Sequence, residues 1–243
     1  MAADGCALVT GASRGIGAAT ARALADCGWP VGVNYRSDEE GARAVVEKIE
    51  AAGGVAIALP ADVSRADAVD DAFSTLEGRL GRVAVLVNNA GLRADGLCPQ
   101  LRDDDWHSVL QTNLSAAFWT CRRALLPMVR ARFGRIVNIA SVVGPCVANP
   151  GQSNYAAAKA GLVGLTRTIA REVAHRGVTV NAVAPGFVET QLTDDVDRGV
   201  LRGIPARRAG APEEVAACVT FLASRPAAYV TGATLTVDGG MTA

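Results

Sequence analysis

Short apolar runs rich in β-branched residues recur along this chain, and longer stretches of helical period separate them. Few architectures satisfy that alternation. The predicted strands are Ala7–Thr10, Val31–Asn34, Val55–Leu59, Val83–Asn88, Arg135–Ile139, Thr179–Ala184 and Thr234–Val237. The predicted helices are Ile16–Cys27, Glu39–Ala52, Ala66–Leu80, Asp104–Arg132, Tyr155–Arg176 and Glu213–Ala223. Runs as continuous as Val83-Ala-Val-Leu-Val87 suit strands covered on both faces, which is the situation in a parallel sheet. The order of elements then predicts right-handed βαβ units in one α/β domain spanning residues 1–243: a doubly wound parallel sheet of about seven strands with helices on both faces. Pro127 is expected to bend or interrupt the long fourth helix. The irregular span 186–212 reads as a substrate-covering loop with short helical pieces.

Half of the 243 residues are hydrophobic but only 5% are aromatic, so Ala, Val, Leu and Gly must build the core. With 24 basic and 24 acidic residues the formal charge is zero, which argues against nucleic acid or an anionic membrane as a partner. Six scattered cysteines, no Cys-x-x-Cys pair and only two histidines make a zinc site unlikely to form, and no metal is expected. Most of these cysteines are expected to be buried, in a reducing compartment. The start of the chain lacks the pattern of a signal peptide, and no apolar run reaches the roughly 20 residues of a membrane span. The expectation is a cytoplasmic protein.

Between the first strand and the first helix lies Thr10-Gly11-Ala12-Ser13-Arg14-Gly15-Ile16-Gly17. Glycines there permit a tight turn and close backbone approach, and a helix N-terminus offers unpaired N–H groups to a pyrophosphate. Taken alone, such a stretch is as often an ordinary turn. Arg14 and Arg36 are placed to clamp a 2′-phosphate, which favours NADPH over NADH. Asp38, Glu39 and Glu40 fit a helix start instead, with Ser37-x-x-Glu40 as a capping box. Asp62, after the third strand, either meets an adenine amino group or makes a turn. Asn88-Asn89-Ala90-Gly91 closes the fourth strand, at the end of the sheet where ligands bind.

Tyr155 and Lys159 share one face of a helix four residues apart. A free tyrosine titrates near pH 10, and the adjacent ammonium is expected to lower that value. Tyr155 then protonates a carbonyl oxygen while a nicotinamide gives hydride to its carbon. Ser141 can donate a hydrogen bond to the same oxygen, and Asn113 either bends its helix or anchors a water that feeds the proton supply. A bare Tyr-x-x-x-Lys pair usually faces solvent; the surrounding motifs give it meaning.

In order and spacing, Thr10–Gly17, Asn88–Gly91, Asn113, Ser141, Tyr155/Lys159 and Pro185-Gly186 resemble the short-chain dehydrogenase/reductase family over nearly the whole chain. The resemblance implies a Rossmann fold, a catalytic set of Asn113, Ser141, Tyr155 and Lys159, and transfer of the pro-S hydride. It implies contacts to the dinucleotide from Gly11, Ser13, Arg14, Gly15, Ile16, Gly17, Arg36, Ser37, Asp62, Val63, Asn89, Ala90, Gly91, Tyr155, Lys159, Pro185, Gly186, Val188 and Thr190. Asn34-Tyr-Arg-Ser37, Asn149–Gly161, Ala184–Thr190 and Val237–Met241 look most like the 3-oxoacyl-[acyl-carrier-protein] reductases of that family. That likeness implies NADPH-dependent reduction of a carrier-bound 3-oxoacyl thioester in fatty-acid or polyketide synthesis, a homotetramer, and carrier docking by Arg132 and Arg176 near the mouth of the site. The segments Leu92–Leu97 and Pro145–Ala148 and residue Gln191 depart from the common pattern beside the cleft, which leaves acyl specificity open. Reduction of a free ketone or sugar, or oxidation of an alcohol, is the alternative. A non-catalytic dinucleotide-sensing scaffold is a third reading, disfavoured because all four catalytic positions are filled.

Overall fold

The computed structural model describes residues 5–190 and 198–243. Seven parallel strands form one sheet in the order β3-β2-β1-β4-β5-β6-β7. They are β1 (Cys6–Val9), β2 (Val31–Tyr35), β3 (Ala56–Pro60), β4 (Val83–Asn88), β5 (Gly134–Ile139), β6 (Val178–Pro185) and β7 (Thr234–Val237). The helices are α1 (Gly15–Asp26), α2 (Glu39–Ala51), α3 (Ala66–Leu80), α4 (Asp103–Leu110), α5 (Ala116–Ala131), α6 (Ser153–Val173) and α7 (Pro212–Ala223). Every predicted strand is present within a residue or two of its expected limits.

Alternation along each strand explains the two layers. Ala7 and Val9 of β1 join one apolar cluster with Leu24 of α1, Ile49 of α2 and Leu222 of α7. Cys6 and Leu8 point the other way, into a cluster with Phe73 of α3, Met128 of α5 and Ile169 of α6. Each fully buried Leu or Phe contributes about 1.5–3 kcal/mol, so both faces must be covered for the strands to be so apolar.

Several expectations are refined or corrected. The stretch predicted as one helix is helical throughout, from Asp103 to Ala131, but a π turn at Gln111–Ser115 divides it into α4 and α5. Of the bend or interruption expected at Pro127, the interruption does not occur: α5 runs on to Ala131, with Met128 beyond the proline fully buried. The cap of α2 is Asp38, whose Oδ1 accepts from the Gly41 N–H at 3.1 Å, not Ser37 with Glu40; the chain turns one residue later, and the carboxylate takes the cap. The cysteines also differ from expectation, since only Cys6 and Cys121 are buried, Cys218 is half-buried, and Cys27, Cys98 and Cys146 are exposed. Of the span 186–212, the described part includes a short helical piece at Arg198–Gly203 and a bridge from Val188 to Gly210; Gln191 lies outside the described residues.

Candidate active site

The strand order reverses between β1 and β4, and a crevice opens there at their carboxyl ends. Its outer part, about 270 Å³, is lined by Gly11, Ser13, Arg14, Gly15, Ile16, Arg36, Ser37, Asp62, Val63, Asn89, Ala90, Gly91 and Thr190. Its inner part, about 120 Å³, is lined by Asn113, Ser141, Tyr155, Lys159, Pro185, Gly186 and Val188. Ile16, Asn89, Gly91 and Thr190 line both, so the two form one continuous cleft. Gly17 is the exception among the proposed cofactor contacts. It is buried beneath the loop, where a Cβ would overlap the Gly11 carbonyl oxygen.

Three polar residues shape the loop. Asn89 Nδ2 donates to the carbonyls of Thr10 and Gly11, both at 2.9 Å. Thr10 Oγ1 accepts from the N–H groups of Asn89 and Ala90, both at 3.0 Å. Asn34 Oδ1 accepts from the Gly11 N–H at 3.3 Å while its Nδ2 donates to Leu59 and Ala61 carbonyls at 3.1 Å. Gly11 itself has φ +59°, and a Cβ there would come within 2.9 Å of Ala90 Cα. The first turn of α1 has no side-chain cap and no acidic residue. Its N–H groups and the positive end of its dipole therefore face the crevice, an environment that fits a pyrophosphate. Asp62 proves to be a turn residue as well as a cleft residue: its Oδ1 accepts from the Ser64 N–H at 3.0 Å and hydroxyl at 2.6 Å.

In the inner cleft, Asn154 pins the start of α6. Its Oδ1 accepts from the Tyr155 N–H at 2.7 Å and its Nδ2 donates to the Ala94 carbonyl at 2.9 Å. Tyr155 and Ser141 thereby line the same inner cleft, and the Ser141 side chain acts to lower the Tyr155 pKa. Ser141 Oγ also accepts from the Val143 N–H at 3.1 Å. Lys159 is buried, donates to the Ile139 carbonyl at 2.7 Å and stands over the Tyr155 ring, 5.5 Å from its centroid. Burial lowers its pKa to about 8. The phenol of Tyr155 is raised, not lowered as expected: burial outweighs the opposing effects of Ser141 and the Arg93 charge, and Asp95 raises it further. The lysine lies over the ring face rather than against the hydroxyl, so it does not lead the titration of the phenol.

Asn113 sits inside the π turn. Its Nδ2 donates to the carbonyls of Leu92 and Val109 at 2.9 and 3.0 Å, and its buried Oδ1 has no partner among the described residues. An orphaned acceptor in a polar corner suits a bound water.

Arg132 and Arg176 are not at the mouth of this cleft. Arg132 caps α5 just before β5, and Arg176 precedes β6, so both lie at the opposite end of the sheet. They are neighbours of one another, since a Cβ on Gly177 would collide with the Arg132 carbonyl. Sequence reasoning also missed Thr10, Asn34 and Asn138, the last accepting from Asn88 Nδ2 at 2.8 Å. The available signal was a polar residue set in an otherwise apolar strand. Arg93 on the cleft wall carried no such mark.

A doubly wound sheet, an uncapped helix at a glycine loop and a convergent Ser/Tyr/Lys group define an oxidoreductase that uses a nicotinamide dinucleotide. The chain belongs to the short-chain dehydrogenase/reductase family: a family model described as enoyl-(acyl carrier protein) reductase matches residues 11–242. A 3-oxoacyl-[acyl-carrier-protein] reductase of Synechocystis is 51% identical over 97% of this chain and 96% of its own length. The enzyme of the same name from Escherichia coli is 46% identical over 97% and 96%. A crystal structure from Agrobacterium tumefaciens that carries the name gluconate dehydrogenase superposes with a TM-score of 0.93 at 36% identity, covering 98% of this chain and 96% of that one.

Proposed function

We propose that this chain reduces the 3-oxo group of an acyl thioester on acyl carrier protein to the 3-hydroxyacyl thioester, with NADPH, in fatty-acid or polyketide synthesis. The relatives bearing that name, 46–51% identical over nearly full length, support the reading. The observation that carries it is the meeting of Ser141, Tyr155 and Lys159 in the inner end of the cleft that begins at the glycine loop.

When bound, the reduced nicotinamide supplies the hydride. The residues do the rest. Tyr155, kept protonated at neutral pH by its raised pKa, gives its proton to the carbonyl oxygen as that atom gains negative charge. Ser141 donates a hydrogen bond to the same oxygen. Lys159, cationic below about pH 8, opposes the negative charge left on the phenolate. Asn113 Oδ1 holds a water through which the proton on Tyr155 is restored.

Arg14 and Arg36 are exposed on the rim of the outer cleft, where a 2′-phosphate would sit, and the nearby Asp38 carboxylate is committed to capping α2. These features favour NADPH over NADH. The whole chain acts as one domain, with the span 186–212 covering substrate. It works as a homotetramer in the cytoplasm, where exposed free cysteines are tolerated. No helix among the described residues is long and apolar enough to cross a membrane.

The fold match to the protein named gluconate dehydrogenase favours a second reading, dehydrogenation of a small sugar acid or alcohol. Steady-state kinetics separate the two. Acetoacetyl-carrier protein with NADPH should exceed every unrelated ketone, and gluconate with either oxidised cofactor, in kcat/KM by more than tenfold, on the order of 1.4 kcal/mol in transition-state binding. A higher kcat/KM for gluconate would replace the first reading with the second.

A further inference from the structure

The part of α6 beyond Lys159 carries a polar contact that the mechanism above does not use. Lys159, Leu162 and Thr166 lie on one buried stripe of the helix. Among the described residues buried from Leu162 to Val173, Thr166 alone is polar. Its Oγ1 accepts from Asn138 Nδ2 at 2.9 Å and donates to the Leu162 carbonyl at 2.8 Å, so the hydroxyl is fixed from both sides. Asn138 is fixed in turn. Its Oδ1 accepts from Asn88 Nδ2 at 2.8 Å, directly across the β4–β5 ladder. Asn88 Oδ1 accepts from Thr120 Oγ1 at 2.6 Å, which extends the chain to α5. All four side chains are buried. Neither Asn138 nor Thr166 is among the described residues that line the cleft.

We propose that Asn138 and Thr166 are positioning residues: their bond sets the height of α6 along β5, and with it the placement of Tyr155 and Lys159 against Ser141. The assignment rests on the catalytic group given above, whichever substrate that group acts on. Ser141 follows the end of β5 by two residues, whereas Tyr155 and Lys159 ride on α6. Their mutual geometry therefore depends on how strand and helix are stacked. Apolar burial is non-directional, so it fixes that height less sharply than a hydrogen bond, which weakens steeply when misaligned. A second tie runs from Lys159 Nζ to the Ile139 carbonyl at 2.7 Å. A lysine reaches its acceptor on a flexible four-carbon stem and can follow a displaced helix. A threonine hydroxyl already bonded to its own helix cannot. Thr166 lies about 10 Å along the axis from Lys159, so its bond acts on the site only through the rigid helix. Apolar groups of the same shape in place of both partners would be close to neutral for stability. What the polar pair supplies is direction.

The test follows reduction of acetoacetyl-N-acetylcysteamine by NADPH in the wild type, Thr166→Val, Asn138→Leu/Thr166→Val and Thr166→Ser. Misplacement of the reacting groups predicts a fall in kcat of about tenfold to a hundredfold in Thr166→Val and in the double variant. KM and the NADPH dissociation constant should move by less than about threefold, because neither residue touches a ligand. The double variant removes both partners, so its urea midpoint should stay close to that of the wild type, and its slow turnover is then not a loss of fold. Thr166→Ser keeps the hydroxyl and should recover kcat to within about threefold of the wild type. Wild-type kcat in both the valine and the double variant, or a serine variant as slow as the valine one, overturns the assignment while the reductase reading stands. A wild type that oxidises gluconate and leaves the thioester untouched overturns the reductase reading instead, and the same kcat ratios on gluconate then decide the positioning role.

Discussion

Lys159 is held in its cleft at a thermodynamic cost. Its pKa falls from 10.5 to about 8 on burial. Below pH 8 the folded and unfolded chains both carry the ammonium, and the folded one bears a desolvation penalty on the order of 3 kcal/mol. Between about 8 and 10.5 the unfolded chain binds more protons than the folded one, so stability rises with pH until the penalty is gone. Lys159→Met should therefore stabilise the fold at pH 7 by about 1–3 kcal/mol, less what the Ile139 carbonyl loses without its donor, while reduction is lost. Urea unfolding of both forms at pH 7 and pH 10 should show the gap closing at the higher value. A variant less stable than the wild type at pH 7 would contradict the account. The pair Tyr155/Lys159 was legible in the sequence because helical spacing puts both on one face. The direction of the tyrosine shift was not, because it depends on how deeply the neighbouring elements bury the hydroxyl.

At the scale of elements, the strands were legible because a parallel sheet covered on both faces demands unbroken apolar runs. The π turn at Gln111–Ser115 was not: helical period continues on either side of it, and only Asn113, a poor helix former, marks the place. Yet that turn sets Asn113 facing Leu92 and the cleft. The glycine loop shows how local sterics serve the site. At Gly17 an added Cβ overlaps the Gly11 carbonyl, whereas at exposed Gly78, inside α3, it meets nothing within 4 Å. Gly78→Ala should accordingly raise stability by about 0.5–1 kcal/mol through helix propensity and leave kinetics unchanged. Gly17→Ala should displace the loop and weaken NADPH binding by at least about a hundredfold, since a misplaced loop forfeits several backbone hydrogen bonds to the ligand. Thermal melts and cofactor titrations on the two variants check the contrast; similar behaviour of both would mean that the loop tolerates displacement.

For the molecule as a whole, Arg132 and Arg176 stand apart from the catalytic group within one chain. Tyr155 lies in the first turn of α6 and Arg176 follows its end; the 18 steps from Tyr155 to Val173 alone span about 27 Å of helix. If Arg132 and Arg176 dock an acidic carrier protein that serves a cleft at the other end of the sheet, another subunit has to present them. The surface offers the means for assembly: Phe118 and Leu126 on α5 are 44% and 56% exposed, and Phe221, Tyr229 and Leu235 form further exposed apolar positions toward the β7 edge. A mixed oligomer tests this directly. Tyr155→Phe subunits keep the arginines but lack the proton donor, and Arg132→Glu/Arg176→Glu subunits keep the donor but reverse the docking charge. Each alone should turn over acetoacetyl-carrier protein poorly, and the double charge reversal should leave the small thioester unaffected. Co-assembled, they should recover carrier-linked turnover well above the sum of the separate preparations, because arginines of one subunit then serve the tyrosine of the next. Absence of recovery in oligomers that demonstrably contain both kinds of subunit would mean that the carrier reaches the cleft without these arginines.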